Sequence, residues 1–266
     1  NFDVQVFDFP RDLPLFISKR SDFSVAVPVF HGKGGEDGVI QGFLETLEIP
    51  YVFSGVEAHA IGMDKAMCKR LVRADGVKTA DWVLLKRSAP YTGIFPVVAK
   101  PVNEGSSHGV QIIQDEESLQ TILSKEEELL IEEYIEGREF TVAVIQTDAQ
   151  PQALPVIEIR SKNAFFDYES KYNATLCDEI CPAQIDQDLA IRLQEMALRV
   201  HTLIHARHLT RTDMIVDHAG EIWFLEINTI PGLTSESLTP KAIQAEGLNL
   251  VDLLKTWIND VIKKTA

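Results

Sequence analysis

Residues 211–228 read Arg-Thr-Asp-Met-Ile-Val-Asp-His-Ala-Gly-Glu-Ile-Trp-Phe-Leu-Glu-Ile-Asn, two β-prone runs on either side of a polar, glycine-bearing turn. The spacing predicts a hairpin of strands Arg211–Asp217 and Glu221–Asn228. Side chains alternate faces along a strand, so Arg211 and Asp213 share one face, and so do Glu226 and Asn228. A two- or four-residue connection sets Asp213 opposite Glu226 and Arg211 opposite Asn228, with Met214, Val216, Trp223 and Leu225 on the buried face. Two carboxylates facing each other across a strand pair repel by roughly 1 kcal/mol even when solvated. A cation between them removes that cost. The candidate ligands Asp213, Glu226 and Asn228 are all oxygen donors, which suits Mg²⁺ or Mn²⁺ and not Zn²⁺. A solvent-facing polar hairpin fits the same residues, but Arg211 beside the acids and Pro231-Gly232 just beyond Asn228 favour a site.

Working outward, strands and helices interleave, which is the pattern of an α/β (α+β) protein. Phe2–Phe9 and the apolar run Ser24–Phe30 read as strands, the second as one buried on both faces of a parallel sheet. Then come the glycine-rich turn His31-Gly-Lys-Gly-Gly-Glu-Asp-Gly38 and an amphipathic stretch Val39–Leu47. Residues 54–74 are mostly helical, broken at Gly55 and Gly62. Strands are expected at Trp82–Lys86, Phe95–Lys100, Gly109–Gln114, Leu129–Tyr134 and Phe140–Gln146. Helices are expected at Asp115–Glu127, with acids in its first turn, at Asp186–Ala206, where apolar residues recur at steps of three and four, and at Leu248–Lys263. Because the later strands form hairpins, their sheet is expected to be partly antiparallel.

The 266 residues carry 25 Lys+Arg against 40 Asp+Glu, a net charge of −15. That field disfavours general binding to nucleic acid or anionic membrane. No apolar run reaches the ~18–20 residues of a membrane span. Cys68, Cys177 and Cys181 are too few for a disulfide framework, so a cytoplasmic location is expected.

Lys100-Pro-Val-Asn-Glu-Gly-Ser-Ser-His-Gly109 links two strands. It is not a Walker loop, since no helix follows and the Lys precedes the glycines. Its backbone N–H groups and hydroxyls can still cradle a polyphosphate, with Lys100 as a point charge; a solvated hairpin turn fits these residues too. Glu139 follows a glycine turn, and a carboxylate there can hold ribose hydroxyls or simply face solvent. Phe165-Phe-Asp-Tyr-Glu-Ser-Lys-Tyr172 lacks periodicity and reads as a loop folding over a ligand or pinned by its own rings.

Taken in order, His31–Gly38, Met63-Asp-Lys65, Lys100–Ser107, Phe166–Tyr172, Cys181-Pro-Ala183 and Glu226-Ile-Asn-Thr-Ile-Pro-Gly-Leu-Thr-Ser235 resemble the D-alanine–D-alanine ligases of the ATP-grasp superfamily, from about Val25 onward. The resemblance implies an ATP-grasp fold with an incomplete N-terminal parallel α/β domain (1–53), a central subdomain (54–131) and a C-terminal catalytic subdomain (132–266). It implies ATP- and Mg²⁺-dependent joining of two D-alanine molecules through a D-alanyl phosphate, for peptidoglycan synthesis, by a homodimer. Lys65 and Lys100 would reach the phosphates, with Ser106, Ser107, Phe166, Lys171 and Leu225 around the nucleotide. Glu132 and Ile135 would contact the adenine and Glu139 the ribose, while Asp213, Glu226 and Asn228 would hold two Mg²⁺ ions (Mn²⁺ as a substitute). Arg211 and the Gly232 N–H would face the tetrahedral oxygen. Ser237, Leu238 and Lys171 would bind the second alanine, His31 would lie near the first, and Tyr172 would close on Ser106.

Two alternatives stand beside this: a D-alanine–D-lactate ligase, which Tyr172 disfavours because those enzymes carry His there, and a catalytically impaired nucleotide-binding remnant. The remnant is suggested because the family's opening Gly-Gly-x-Ser-x-Glu turn is not found in residues 1–30. Two further departures are His108 after Ser107, and Glu236, which adds negative charge beside Ser237.

Overall fold

The strands form two antiparallel sheets and follow from the alternation of the sequence. The computed structural model describes residues 2–87, 89–102, 109–147, 150–161 and 177–265. Ser106, Ser107, His108, Phe166, Lys171 and Tyr172 lie outside the described residues.

The first sheet has the order β1-β4-β2-β3, with β1 Trp82–Lys86, β2 Val97–Pro101, β3 Gln111–Ile113 and β4 Glu128–Glu133. Val97, Ala99, Ile113, Leu129 and Ile131 bury one face beneath helix α5, Glu116–Leu123, through its Leu119 and Leu123. The register puts Val98 opposite Glu132 and Lys100 opposite Leu130, so Glu132 and Lys100 share the face away from α5.

The second sheet runs β10-β9-β5-β7-β8, with β6 also on β5: β5 Gly137–Gln146, β6 Pro151–Ala153, β7 Ile157–Ser161, β8 Cys177–Ile180, β9 Leu209–Asp217 and β10 Ile222–Asn228. Every pairing in both sheets is antiparallel. Phe140, Val142, Val144, Met214, Val216 and Ile222 cover one face and pack on Leu193 and Ala197 of helix α6, Gln187–Leu203. The far end of the opposite face, with Ala143, Ile145 and Leu209, is closed by helices α7, Leu238–Ala245, and α8, Leu250–Thr265, around the fully buried Trp257. What remains open on that face is the stretch bearing Glu139, Thr141, Asp213 and Glu226.

The remaining helices are α1, Leu13–Ser18, α2, Val39–Thr46, α3, Val56–Met63, and α4, Lys65–Ala74. Asp64, Asp115 and Asp186 cap α4, α5 and α6 by accepting hydrogen bonds from the N–H three residues on. The break in 54–74 therefore falls at Asp64 and not at Gly62. Gly62 lies within α3, where packing leaves little room for a side chain: a Cβ would lie 3.0 Å from Thr229 Cγ2.

The N-terminal segment departs most from expectation. Phe2–Phe9 forms no strand, and Val4 and Val6 are exposed, because no described strand lies alongside to pair with it. Only Phe7 and Phe9 are fixed, edge-on to Phe16. The Ser24–Phe30 strand reduces to a single parallel bridge between Ala26 and Tyr51. Among the described residues no helix is long and apolar enough to cross a membrane.

Candidate active site

The hairpin places Asp213 directly opposite Glu226 and Arg211 opposite Asn228, so the two carboxylates share one face. The route to that register differs from the expected one. Near the turn Met214 faces Phe224 and Val216 faces Ile222; a bulge at Leu225 then shifts the pairing by one residue before Glu226. In consequence Ile222, Phe224 and Ile227 are the buried residues of β10, while Trp223 and Leu225, expected on the buried face, are half-exposed. The turn His218–Gly220 ends on Gly220 with φ +80°, the left-handed closing residue of a three-residue hairpin loop.

Asp213 is 2% exposed and heavily bonded. Arg211 donates from Nε to Oδ1 and from a terminal nitrogen to Oδ2, both at 2.9 Å. Thr141 Oγ1, opposite it on β5, donates to Oδ1 at 2.5 Å, and Asn228 Nδ2 lies 3.4 Å from Oδ2. These contacts place two donors on each carboxylate oxygen. Among the described residues no group of three or more His, Cys, Asp and Glu is arranged for a metal. The donor set is two carboxylates and one amide, all oxygen donors around a like-charged pair, which fits a hard divalent cation.

Lys65, the first residue of α4, lines a cleft together with Glu36, Glu226 and Asn228. Glu36 was not singled out from the sequence, although it lies in the quoted His31–Gly38 turn. It is buried, accepts the Gly32 N–H at 2.6 Å, and is held above its ordinary pKa mainly by burial. His31 and Arg211 counter that shift, while Glu226 reinforces it, so these four charges share one field. Thr141, a lone hydroxyl in an apolar strand, was the other legible sign left unread.

Lys100 and Glu132 do come together, though with each other: Lys100 Nζ lies 2.8 Å from Glu132 Oε2. A second ammonium, that of Lys69, approaches Oε1 at 3.4 Å. Burial alone would raise the Glu132 pKa, but the two lysines outweigh it and hold the group below its ordinary value. Ile135, just beyond β4, is half-buried, and Glu139 projects from β5 on the same face as Thr141. Beyond β10, Gly232 approaches Ser237 so closely that a Cβ would lie 2.6 Å from Ser237 Oγ. That Oγ shares a hydrogen bond of 2.8 Å with Thr234 Oγ1. Leu238 packs its side chain into the Trp257 cluster, leaving its backbone N–H, at the start of α7, for a ligand. Glu236 is exposed and its Oε1 accepts from Ser235 Oγ at 3.2 Å. His31 is exposed on its loop.

Two antiparallel sheets, one with buried lysines around a glutamate and the other with paired acids beside an arginine, define a chain of the ATP-grasp class. The family model described as D-ala D-ala ligase C-terminus matches residues 59–259, and that described as D-ala D-ala ligase N-terminus matches residues 10–54. A D-alanine–D-alanine ligase of Halalkalibacterium halodurans is 37% identical over 245 residues, covering 88% of this chain and 80% of that protein. The crystal structure of the Bacillus anthracis D-alanine–D-alanine ligase complexed with ATP superimposes with a TM-score of 0.81 at 32% identity, over 97% of this chain and 85% of the other. The VanG D-Ala:D-Ser ligase of Enterococcus faecalis gives 0.75 at 31% identity, over 91% and 72%. This chain belongs to the D-alanine–D-alanine ligase family.

Proposed function

We infer that this chain joins two D-alanine molecules at the expense of ATP, with Mg²⁺, through a D-alanyl phosphate. The observation that carries the reading is the register of β9 against β10, which sets Asp213 facing Glu226 and Arg211 facing Asn228 in a chain of this family. The cleft that Lys65 shares with Glu226 and Asn228 supports it.

Asp213, Glu226 and Asn228 would hold the metal ions, which when bound supply positive charge to the transferring phosphoryl oxygens. Lys65 and Lys100 bring ammonium charge to the same phosphates. Glu132, Ile135, Leu225 and Glu139 receive the adenosine, in line with the faces their strands present. Arg211, fixed by two bonds to Asp213, presents the rest of its guanidinium where negative oxygen builds up in both steps: carboxylate attack on the γ-phosphate, then amine attack on the acyl phosphate with phosphate leaving. The Gly232 N–H serves the same oxygen. Ser237, with the Leu238 N–H, binds the second carboxylate. His31 lies toward the first substrate. Ser106, Ser107, Phe166, Lys171 and Tyr172 complete the proposal as the cover that keeps water from the acyl phosphate. Division of the chain at residues 53 and 131, and a homodimer, belong to the same proposal.

The test is phosphate release from Mg-ATP with and without D-alanine, with D-lactate and D-serine offered as second substrates. Release that requires D-alanine and yields the dipeptide is expected. Nucleotide binding without D-alanine-dependent release would overturn the reading.

A further inference from the structure

Lys69 has no place in the chemistry described above, yet it is one of the largest fully buried side chains of the protein. It sits one helical turn beyond Lys65 on α4 and is fully buried, whereas Lys65 lines the open cleft. Its ammonium donates to Thr79 Oγ1 at 2.7 Å, lies 3.4 Å from Glu132 Oε1, and stands 5.3 Å from the centre of the Trp82 ring. Lys100 reaches the other oxygen of the same carboxylate. One buried acid thus carries two cations, more charge than its own neutralisation requires.

We propose that Lys69 is a positioning residue, the permanent counterion of Glu132 that leaves Lys100 free to turn to the nucleotide phosphates. The inference rests on the function proposed above. Lys100 sits on a flexible four-carbon stem and is slightly exposed, so it can exchange one anion for another. If it leaves, Glu132 and Lys69 remain as a neutral pair. Without Lys69, the departure of Lys100 strands a fully buried carboxylate, which costs several kcal/mol, so Lys100 stays on Glu132 and the phosphates lose it. Burial lowers the Lys69 pKa and Glu132 opposes that shift, the balance lying at about 8.

A second contact extends the role. Thr79 passes the lysine's hydrogen bond on, donating from Oγ1 to the Phe224 carbonyl at 2.9 Å, while the Phe224 N–H donates to Lys78 O at 2.8 Å. Phe224 is the residue just before the Leu225 bulge that brings Glu226 opposite Asp213. The same ammonium therefore ties the adenine side of the site to the strand that carries the metal-facing acid.

The experiment is a double-mutant cycle on Mg-ATP affinity, with ADP and adenosine as further probes. In the wild-type background Lys100→Met should weaken ATP binding by about 30-fold; with Lys69→Met already present it should cost under about 3-fold, because Lys100 is then pinned to Glu132. Lys69→Met alone should weaken ATP more than adenosine. Lys69→Arg should keep ATP affinity within about 3-fold of wild type and restore the full cost of Lys100→Met. Multiplicative effects in the cycle overturn the inference, as does an unchanged ATP affinity in Lys69→Met. If Lys69→Met does not fold, isosteric Thr79→Val carries the test: a loss of about 3- to 10-fold is expected from one displaced hydrogen bond, and no loss overturns it. A wild-type chain that binds no nucleotide brings down the proposed function itself; one that binds it with a multiplicative cycle brings down only this inference.

Discussion

Glu226→Gln separates the needs of folding from those of the proposed chemistry, because the two should respond in opposite directions. Facing cross-strand residues have Cβ atoms about 5 Å apart. Two full charges at that distance repel by about 3 kcal/mol at an effective dielectric near 20. Arg211 already cancels much of the Asp213 charge through two 2.9 Å contacts, and Glu226 is only half-buried, so about 1 kcal/mol of repulsion remains. Removing the Glu226 charge should therefore raise the melting temperature of the ligand-free protein by about 2–4 °C. The same change deletes a metal ligand. D-Alanine-dependent phosphate release should fall at least about 100-fold, and the stabilisation that Mg-ATP confers on the wild type by mass action should largely vanish. Differential scanning fluorimetry with and without Mg-ATP, paired with a phosphate-release assay at saturating Mg²⁺, reads both effects. A ligand-free melting temperature below wild type, or turnover unchanged at saturating Mg²⁺, would refute the reasoning.

Gly232→Ala puts a Cβ 2.6 Å from Ser237 Oγ, so Ser237 must move; the KM for the second D-alanine should rise about 10-fold or more while nucleotide affinity holds, as substrate titrations will show. His59, His201 and His208 are buried, and burial pushes each from 6.5 down to about 4. Folded pKa values below the unfolded ones mean that this stability is whole above pH 6.5 and lost as pH falls toward 4, at most about 3 kcal/mol per histidine. Chemical denaturation at stepped pH should show the decline, and a flat profile from pH 7 to 4.5 would contradict it. Trp257→Ala empties the centre of the cluster under β5 and removes the indole N–H that donates to Gln146 O at 2.8 Å; a loss of about 3–5 kcal/mol in urea unfolding is expected.

Periodicity carried most of the regular structure. Trp82–Lys86 is a strand with the expected bounds, and the long amphipathic helix appears as Gln187–Leu203 behind its Asp186 cap. Strands β6, β7 and β8 were not legible, because they are three to five residues long and flanked by prolines or aperiodic sequence. Helix Leu238–Ala245 was hidden by Pro240, which a first turn tolerates because the N–H there has no intrahelical acceptor. The alternation in Phe2–Phe9 misled for the opposite reason: it describes a strand's faces but supplies no neighbour to pair with. At the site, the pairing of Asp213 with Glu226 could be read from spacing, but the Leu225 bulge that produces it, beside the bridge between Thr79 and Phe224, could not.

Buried charge is where sequence reading stops, and the site is built from it. A lysine on an amphipathic helix reads as solvent-facing unless its partners are known, and those of Lys69 lie on Thr79 and on β4. Two buried acids of the proposed site each have an opposite charge against them: Asp213 has Arg211, and Glu132 has Lys100 and Lys69. Such pairing keeps a pre-formed polar site from destabilising the ligand-free fold, since an unpaired buried ion costs far more than a paired one. On the proposed function, a metal-bound triphosphate brings cations for the acids and anions for the lysines. Binding is then an exchange of ion pairs, Lys100 leaving Glu132 for phosphate while Asp213 exchanges part of its contact with Arg211 and Asn228 for a metal. An exchange of this kind needs a residue that does not move, and Lys69, fully enclosed, paired with Glu132 of the first sheet and linked through Thr79 to Phe224 of the second, meets that requirement.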